Sequence, residues 1–472
     1  MKVTVFGCGY LGATHAACMA ELGHEVLGVD IDQSKVDLLN SGELPFYEPG
    51  LADVLRRGIN SGRLAFTTDS AMAAQFAQVH FLGVGTPQKR GEYGADLRHV
   101  HSVIDDLAPR LTGEHLIIGK STVPVGTARE LGARARLAAG PDAAITVAWN
   151  PEFLREGFAV EDTLHPDRIV LGLNADDCGG STGSGAAGRP STEAVIREVY
   201  VQILAEGTPL LVTDLATAEL VKVSANAFLA TKISFINAIS EVCEAAGADV
   251  TTLADAIGHD ARIGRRFLNA GLGFGGGCLP KDIRAFMARA GELGAPQALT
   301  FLREVDSINM RRRAAMVDLA TQSCGGTLLG ANITVLGAAF KPESDDVRDS
   351  PALSVAGQLQ LKGATVSVFD PKAMDNSRKV FPTLNYANSI ADAARGADAV
   401  LVLTEWNEFV HLDPAEVTPL VRRTTVVDGR RCLDRQAWEA AGWTYRALGG
   451  TPALLRGRDA RPNVTVNTLM RG

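Results

Sequence analysis

The run Gly273-Phe274-Gly275-Gly276-Gly277-Cys278-Leu279-Pro280-Lys281-Asp282 combines a thiol, an acid and four glycines in ten residues. Such glycines leave the backbone free to approach a ligand closely. Pro280 suits the start of a helix running on through Ile283, Phe286 and Met287. Cys278 would then stand at that helix's N-terminus, where exposed N–H groups and the dipole stabilise a thiolate. That is the setting of a covalent nucleophile. Asp282 falls in the first turn, placed to act on a water or simply to cap. The other cysteines read differently. Cys18 and Cys243 have apolar helical neighbours and behave as small core residues, while Cys8 is a variable position in a glycine loop.

A second constellation is Gly7-Cys8-Gly9-Tyr10-Leu11-Gly12, between an apolar strand and a helical stretch, with Asp30 after the next strand. Gly7 permits a tight turn, Gly9 lets backbone approach a pyrophosphate, and Gly12 lets helix and strand pack closely. The phosphates would face N–H groups at the helix N-terminus. An acid at Asp30 can accept both ribose hydroxyls and would repel a 2′-phosphate, which favours NAD over NADP. FAD shares the fingerprint without accounting for the cysteine segment.

Lys222 and Asn226 are four apart on one helical face that continues through Leu229, Ile233 and Asn237. A lysine on a largely apolar face either snorkels or is held at a site. The same two readings apply to Arg262 in Arg262-Ile263-Gly264 and to Lys341 in Phe340-Lys341-Pro342. Lys341, however, follows the carboxyl end of a strand, where α/β proteins bind ligands.

These residues need a scaffold of strands and helices. Lys2–Phe6 and Glu25–Val29 read as strands around a helix from Ala13 to Leu22, and further strands are expected at Val79–Val84, Leu116–Lys120 and Ile145–Trp149. A parallel doubly wound sheet over roughly the first 200 residues follows. From Thr213 to about Ala246 the pattern is continuously helical, about 50 Å of spine at 1.5 Å per residue. A second α/β unit begins near Asn332, with strands at Ile333–Leu336, Ala364–Phe369, Ala399–Leu403 and Thr425–Val427. It repeats the acid after its second strand, at Asp370, but has Gly337-Ala338-Ala339 where a glycine fingerprint would stand, so a different ligand is expected there. The expected class is therefore α/β: two Rossmann-like doubly wound parallel-sheet domains joined by a helical domain with a long central helix. The divisions are 1–212, 213–320 and 321–472. Residues 176–190, rich in glycine and serine, read as a flexible surface insertion.

The bulk properties agree. A chain of 472 residues exceeds one typical core, and 46% hydrophobic with 21% charged residues is a globular balance. A net charge of −8 argues against nucleic acid or an anionic membrane as partner. No apolar run reaches the roughly 20 residues that span a bilayer. The N-terminus has no secretory h-region. Seven scattered cysteines indicate neither a disulfide framework nor a metal site. A cytoplasmic location is expected.

Taken in order, the motifs resemble those of the UDP-glucose/GDP-mannose 6-dehydrogenase family over nearly the whole chain, from Val3 to about Leu448. They are Gly7–Gly12, Gly85-Thr86-Pro87, Ser121–Thr127, Asn150–Gly157, Lys222–Asn226, Arg262–Gly264 and the Cys278 segment. Phe340-Lys341-Pro342, Asp345–Arg348 and Asp428-Gly429-Arg430 complete them. The resemblance implies that Leu11, Asp30, Lys35, Thr86, Thr122, Glu156, Lys281 and Arg348 contact NAD. It implies that a nucleotide sugar meets Glu152, Phe153, Leu154, Arg155 and Glu156, then Lys222, Asn226, Phe267, Leu268, Asn269, Ala270, Gly271, Gly275 and Lys341. Arg262 and Arg430 join that set, within the chain or across a dimer interface built on the central helix. The second α/β unit would bind the UDP moiety.

The chemistry implied is oxidation of the C6 hydroxyl to a carboxylate with two NAD. Lys222 or an ordered water assists proton removal. Cys278 captures the aldehyde, and Lys222 and Asn226 stabilise the oxyanion. The resulting thioester is hydrolysed by water near Asp282, with Glu152 or Glu156 and Thr122 close by. One departure is visible: Gly277 stands where many members have serine. Phe267–Gly271 and the arginine motif favour UDP-glucose as the sugar. GDP-mannose or a UDP-N-acetylhexosamine is the alternative. A two-electron hydroxyacid dehydrogenase would share the nucleotide-binding half and leave Cys278 unexplained, and a non-catalytic nucleotide sensor would leave Cys278, Lys222 and Asp282 unexplained.

Overall fold

In the computed structural model, which describes residues 1–174 and 191–449, two sheets face each other across a helical centre. The first has eight strands: β1 (Lys2–Phe6), β2 (Glu25–Val29), β3 (Leu64–Thr67), β4 (Val79–Leu82), β5 (Gly113–Gly119), β6 (Ala143–Trp149), β7 (Ile169–Leu173) and β8 (Leu210–Asp214). Their order, 3-2-1-4-5-6-7-8, contains the 3-2-1-4-5-6 arrangement of a dinucleotide-binding sheet. Val3, Thr4, Val5 and Phe6 of β1 are all buried because helices cover both faces. That is why the strand reads as an apolar run and not as an alternation.

Three local expectations need correction. The sheet is not wholly parallel, since β7 runs antiparallel to β6 before β8 restores a parallel pair. The first helix, Tyr10–Glu21, begins inside the glycine loop and not at Ala13. Thr213 belongs to β8, and the long helix starts at Leu215. The glycine- and serine-rich segment 176–190, read as a flexible insertion, lies outside the described residues.

The central helix, Leu215–Ala246, is capped by Asp214, whose carboxylate accepts from the Thr217 N–H at 2.9 Å. It ends at Gly247 in the left-handed region (φ 72°). Helices Leu279–Glu292 and Phe301–Ser323 pack on it around Ala230, Phe274, Ile283 and Leu302. No helix among the described residues is long and apolar enough to cross a membrane.

The second sheet comprises β9 (Asn332–Leu336), β10 (Thr365–Phe369), β11 (Asn385–Tyr386), β12 (Ala399–Val402), β13 (Thr425–Asp428) and β14 (Thr444–Ala447). Its order, 11-10-9-12-13-14, repeats the 3-2-1-4-5-6 pattern with every pair parallel. Both sheets therefore carry a switch point, where loops leave the carboxyl ends of the strands and open a crevice.

Candidate active site

The loops after β1, β4, β5 and β6 and those after β9, β12 and β13 line one cleft of about 2440 Å³. Typical small-molecule pockets occupy roughly 300–1,000 Å³. This cleft is more than twice that size.

On the first sheet, the three fingerprint glycines are separated by what a Cβ would meet. At Gly7 (φ +85°) it would strike Val84, and at Gly12 it would lie 1.7 Å from the Gly7 carbonyl oxygen. At Gly9 it would meet nothing, so backbone there is open to a ligand. Asp30, buried at the end of β2, accepts from Cys8 N at 2.8 Å and pairs with Lys35 Nζ at 2.9 Å. This is a fitted dinucleotide site: a glycine turn, an open helix N-terminus and an acid at ribose distance from the turn. In the second sheet the equivalent acid, Asp370, is consumed by the N–H groups of Ala338 (2.7 Å) and Ala339 (2.9 Å) and by the Trp406 indole (3.1 Å). Asp370 is thus engaged by its own turn and by Trp406, in line with the expectation of a different ligand there.

Cys278 is the N-cap of helix Leu279–Glu292, with Pro280 in its first turn. Its thiol opens onto the cleft. Around it, Asp282 is almost wholly buried and accepts from Asn226 Nδ2 and from Lys281 Nζ, each at 2.6 Å. Burial of the thiol, together with the Asp282 carboxylate, raises the Cys278 pKa above the ordinary thiol value. Lys281 and Lys222 oppose that rise, and Glu156 adds to it. These neighbours act against the thiolate that the helix terminus was expected to favour.

The glycine run is required by close packing. A Cβ at Gly273 would lie 2.3 Å from Asn309 Oδ1, and one at Gly275 would lie 2.3 Å from the Asp349 carbonyl oxygen. At Gly277 it would fall 2.3 Å from the Arg348 guanidinium, which occupies the space a serine side chain would take. Arg348 pairs with Asp346 at 2.7 Å and Glu156 at 3.4 Å.

The Asn150–Gly157 loop leaves β6 and crosses the cleft wall. Lys222 Nζ sits 5.4 Å from the centre of the Phe153 ring. Glu156 accepts from Ser344 Oγ at 3.0 Å, and its backbone carbonyl accepts from Lys341 Nζ, so this loop joins the two sheets. Burial and Asp346 raise the Glu156 pKa to about 7, against the pull of Arg348, Lys341 and Ser344. Burial lowers Lys341, with Glu156 and Glu48 opposing.

Gly7, Gly9, Leu11, Asp30, Lys35, Thr86 and Thr122 all line the cleft, as do Glu152 to Glu156, Lys222 and Asn226. So do Phe267 to Gly271, Gly275, Cys278, Lys281, Lys341, Arg348 and Arg430. Gly12 packs behind the turn, and Asp282 lies beneath Cys278 beside a small second cavity that Thr122 shares. Arg262 is not brought in: it is exposed and paired with Asp260 at 2.6 Å. Phe267 and Arg431 on the wall are non-glycine residues at positive φ (66° and 54°), a strain that clusters at binding sites.

Several positioning residues carried no sequence signal. Glu48 accepts from Gly157 N and Ala159 N at 2.7 Å each and from the Tyr10 hydroxyl. Asn309 pairs with both backbone groups of Phe274, at 2.8 and 2.9 Å. Lys120, just past β5, is buried against Glu152. A charge ending an apolar strand at the sheet's carboxyl edge was the one available hint for Lys120.

Residues 1–210 match the NAD binding domain of the UDP-glucose/GDP-mannose dehydrogenase family, 216–311 its central domain and 334–435 its UDP binding domain. The chain is 41% identical to a UDP-glucose 6-dehydrogenase of Rhizobium meliloti (strain 1021), over 95% of this chain and 99% of the relative. It is 39% identical to one of Bacillus subtilis (strain 168), over 95% and 93%. Among solved structures, a UDP-glucose dehydrogenase from the hyperthermophilic archaeon Pyrobaculum islandicum superposes with a TM-score of 0.85 at 36% identity, covering 95% and 98% of the two chains.

Proposed function

Because the chain belongs to the UDP-glucose/GDP-mannose dehydrogenase family and is an NAD-dependent oxidoreductase, we propose that it oxidises UDP-glucose at C6 to UDP-glucuronate. The observation that carries the reading is Cys278, open to the cleft shared by the two sheets, with Lys222, Lys281 and the Asn226–Asp282 pair around it. When bound, NAD accepts hydride from the sugar carbon, and two are consumed per sugar. The residues of the chain do the rest. Cys278 gives up its proton and its sulfur attacks the C6 aldehyde, while Lys222 and Asn226 donate to the oxyanion. Asn226 Nδ2 spends one of its two hydrogens on Asp282, which leaves the other for the oxyanion. After the second oxidation Cys278 holds a thioester, which water cleaves with an acid from Asp282, Glu152 or Glu156 taking its proton. Thr122 shares the second cavity with Asp282 and belongs to this group. Capture on sulfur keeps the aldehyde in place between two oxidations.

The residue assignments of the sequence stand within this proposal. Asp30, Lys35, Thr86, Thr122, Glu156, Lys281 and Arg348 would hold NAD, and the Phe267–Gly271 loop, Gly275, Lys341 and Arg430 would hold the UDP-sugar. Two supports favour a dimer through the central helix. Phe228, Phe235 and Val242, seven residues apart, are 66%, 49% and 61% exposed along it, and Arg262 stays outside its own chain's cleft.

The test offers the purified chain UDP-glucose, GDP-mannose and UDP-N-acetylhexosamines with NAD and counts NADH per sugar. Two NADH from UDP-glucose alone is expected; one NADH, or turnover of another sugar in preference, overturns the assignment. Cys278→Ser should abolish acid formation while NAD still binds, and undiminished turnover would remove the nucleophile from the scheme.

A further inference from the structure

Behind the Glu152 loop lies a buried cluster around Lys120, a residue that the scheme above leaves unused. Lys120 follows β5, and its side chain is only 5% exposed. Its ammonium is 3.0 Å from Glu152 Oε2, 3.1 Å from Asn150 Oδ1 and 3.4 Å from the Tyr200 hydroxyl. Three donors meet three acceptors. Asn150 is oriented by donating to the Val170 carbonyl at 2.8 Å, so its oxygen faces Lys120 and the Tyr200 hydroxyl, which donates to it at 2.7 Å. Glu152 Oε1 is pinned separately by the N–H groups of Phe153 at 2.8 Å and Leu154 at 3.2 Å. From the first helix His15 faces the same wall with both ring nitrogens unpartnered. Burial and Lys120 disfavour charging it, so Lys120 and Glu152 are the cluster's one cation and one anion. Cys18, from the same helix, is the remaining titratable neighbour, and burial keeps it a neutral thiol.

We propose that Lys120 is a positioning residue for thioester hydrolysis, holding the Glu152 carboxylate fixed at the cleft wall as the base that takes the water's proton. This rests on the functional reading above and chooses among the acids left open there. Both residues follow neighbouring strands, β5 and β6, at the sheet's carboxyl edge, and both line the cleft. Burial alone would neutralise a carboxylate so placed, and an adjacent ammonium opposes that. With Oε1 on backbone and one side of Oε2 on Lys120, a lone pair of Oε2 is left for water. In the step, water oxygen bonds the acyl carbon and the C–S bond breaks. The water's proton passes to Glu152 and then to the departing Cys278 sulfur, and the product acid releases its own proton to solvent. No electrons are transferred.

The experiment is single turnover of the full chain with UDP-glucose and NAD, following acyl mass on the protein. In Lys120→Met, NADH release should persist and KM stay near wild type, while acyl decay slows roughly a hundredfold at neutral pH. Lys120→Arg, which keeps a donor and a charge at this place, should restore acyl decay. A purely structural lysine would slow every step alike. Wild-type acyl decay in Lys120→Met, or NADH release slowed as much as acyl decay, overturns the proposal. Should Lys120→Met not fold, Lys120→Met/Glu152→Gln leaves no charge unpaired and should match Glu152→Gln alone; a further loss in the double variant overturns it. If Glu152→Gln itself clears the acyl group normally, Glu152 is not the base. If wild type never carries the acyl group, the covalent reading fails instead.

Discussion

Glu156 shows how much one side chain's surroundings set its behaviour. Its carboxylate is buried beside Asp346 and titrates near pH 7, although Arg348 and Lys341 pull the other way. Between about pH 4.5 and pH 7 the folded protein holds a proton that the unfolded chain has lost. Stability from this group is therefore complete below that window and falls as pH rises through it, by up to about 3 kcal/mol. Glu156→Gln removes the titration. The difference between wild-type and variant unfolding free energies, measured by denaturant from pH 5 to pH 8, should change across the window; parallel curves would mean Glu156 ionises normally. Gly277 makes the same point by sterics, since the space its missing side chain leaves is taken by Arg348.

At the scale of elements, the cysteine loop is held from behind by the Phe301–Ser323 helix. Asn309 satisfies the N–H and carbonyl of Phe274, Arg312 Nε donates to the Gly271 carbonyl at 3.1 Å, and Arg313 pairs with Asp349 at 2.8 Å. From the central helix, Asn237 Oδ1 accepts from Gly271 N at 2.9 Å. Two helices thus converge on one irregular segment that supplies the nucleophile. Asn309→Ala would strand two buried backbone groups, at about 1–3 kcal/mol. We expect lower stability in urea and, because Cys278 lies four residues on, a kcat reduced by more than KM changes. A variant of wild-type kcat would show that the loop keeps its shape without this anchor.

For the whole molecule, the two sheets present their strand carboxyl ends to one cleft, and the central helix carries exposed apolar residues along its length, of which Phe228 also lines the cleft. Phe228, Phe235 and Val242 recur at the seven-residue interval of a helix-packing seam. On the proposed dimer, Phe235→Glu should yield a monomer in sedimentation velocity without unfolding the nucleotide-binding sheet. An unchanged sedimentation coefficient would mean that this helix face does not pair. If Arg262 acts across that interface, the monomer should also lose affinity for the nucleotide sugar while keeping NAD.

Local sequence determined those parts of this protein whose causes are local. The glycine turn at Gly7–Gly12, the acid at Asp30, the apolar buried strands and the Pro280-led helix are each dictated within a few residues, and all were legible. The edge strand β8 was not, because its short apolar run Leu210–Val212 leads straight into the long helix and reads equally as that helix's beginning. The antiparallel turn of β7 also left no mark in its own residues. Tertiary structure alone decided the partners. Lys120 meets Glu152 across neighbouring strands, Asp282 meets Asn226 from another helix, and Asp370 fills its own turn with help from Trp406. These contacts set which groups are desolvated and which charges lie beside them. The thiol of Cys278, placed at a helix terminus by its own sequence, is raised and not lowered because burial and a neighbouring carboxylate come from the fold.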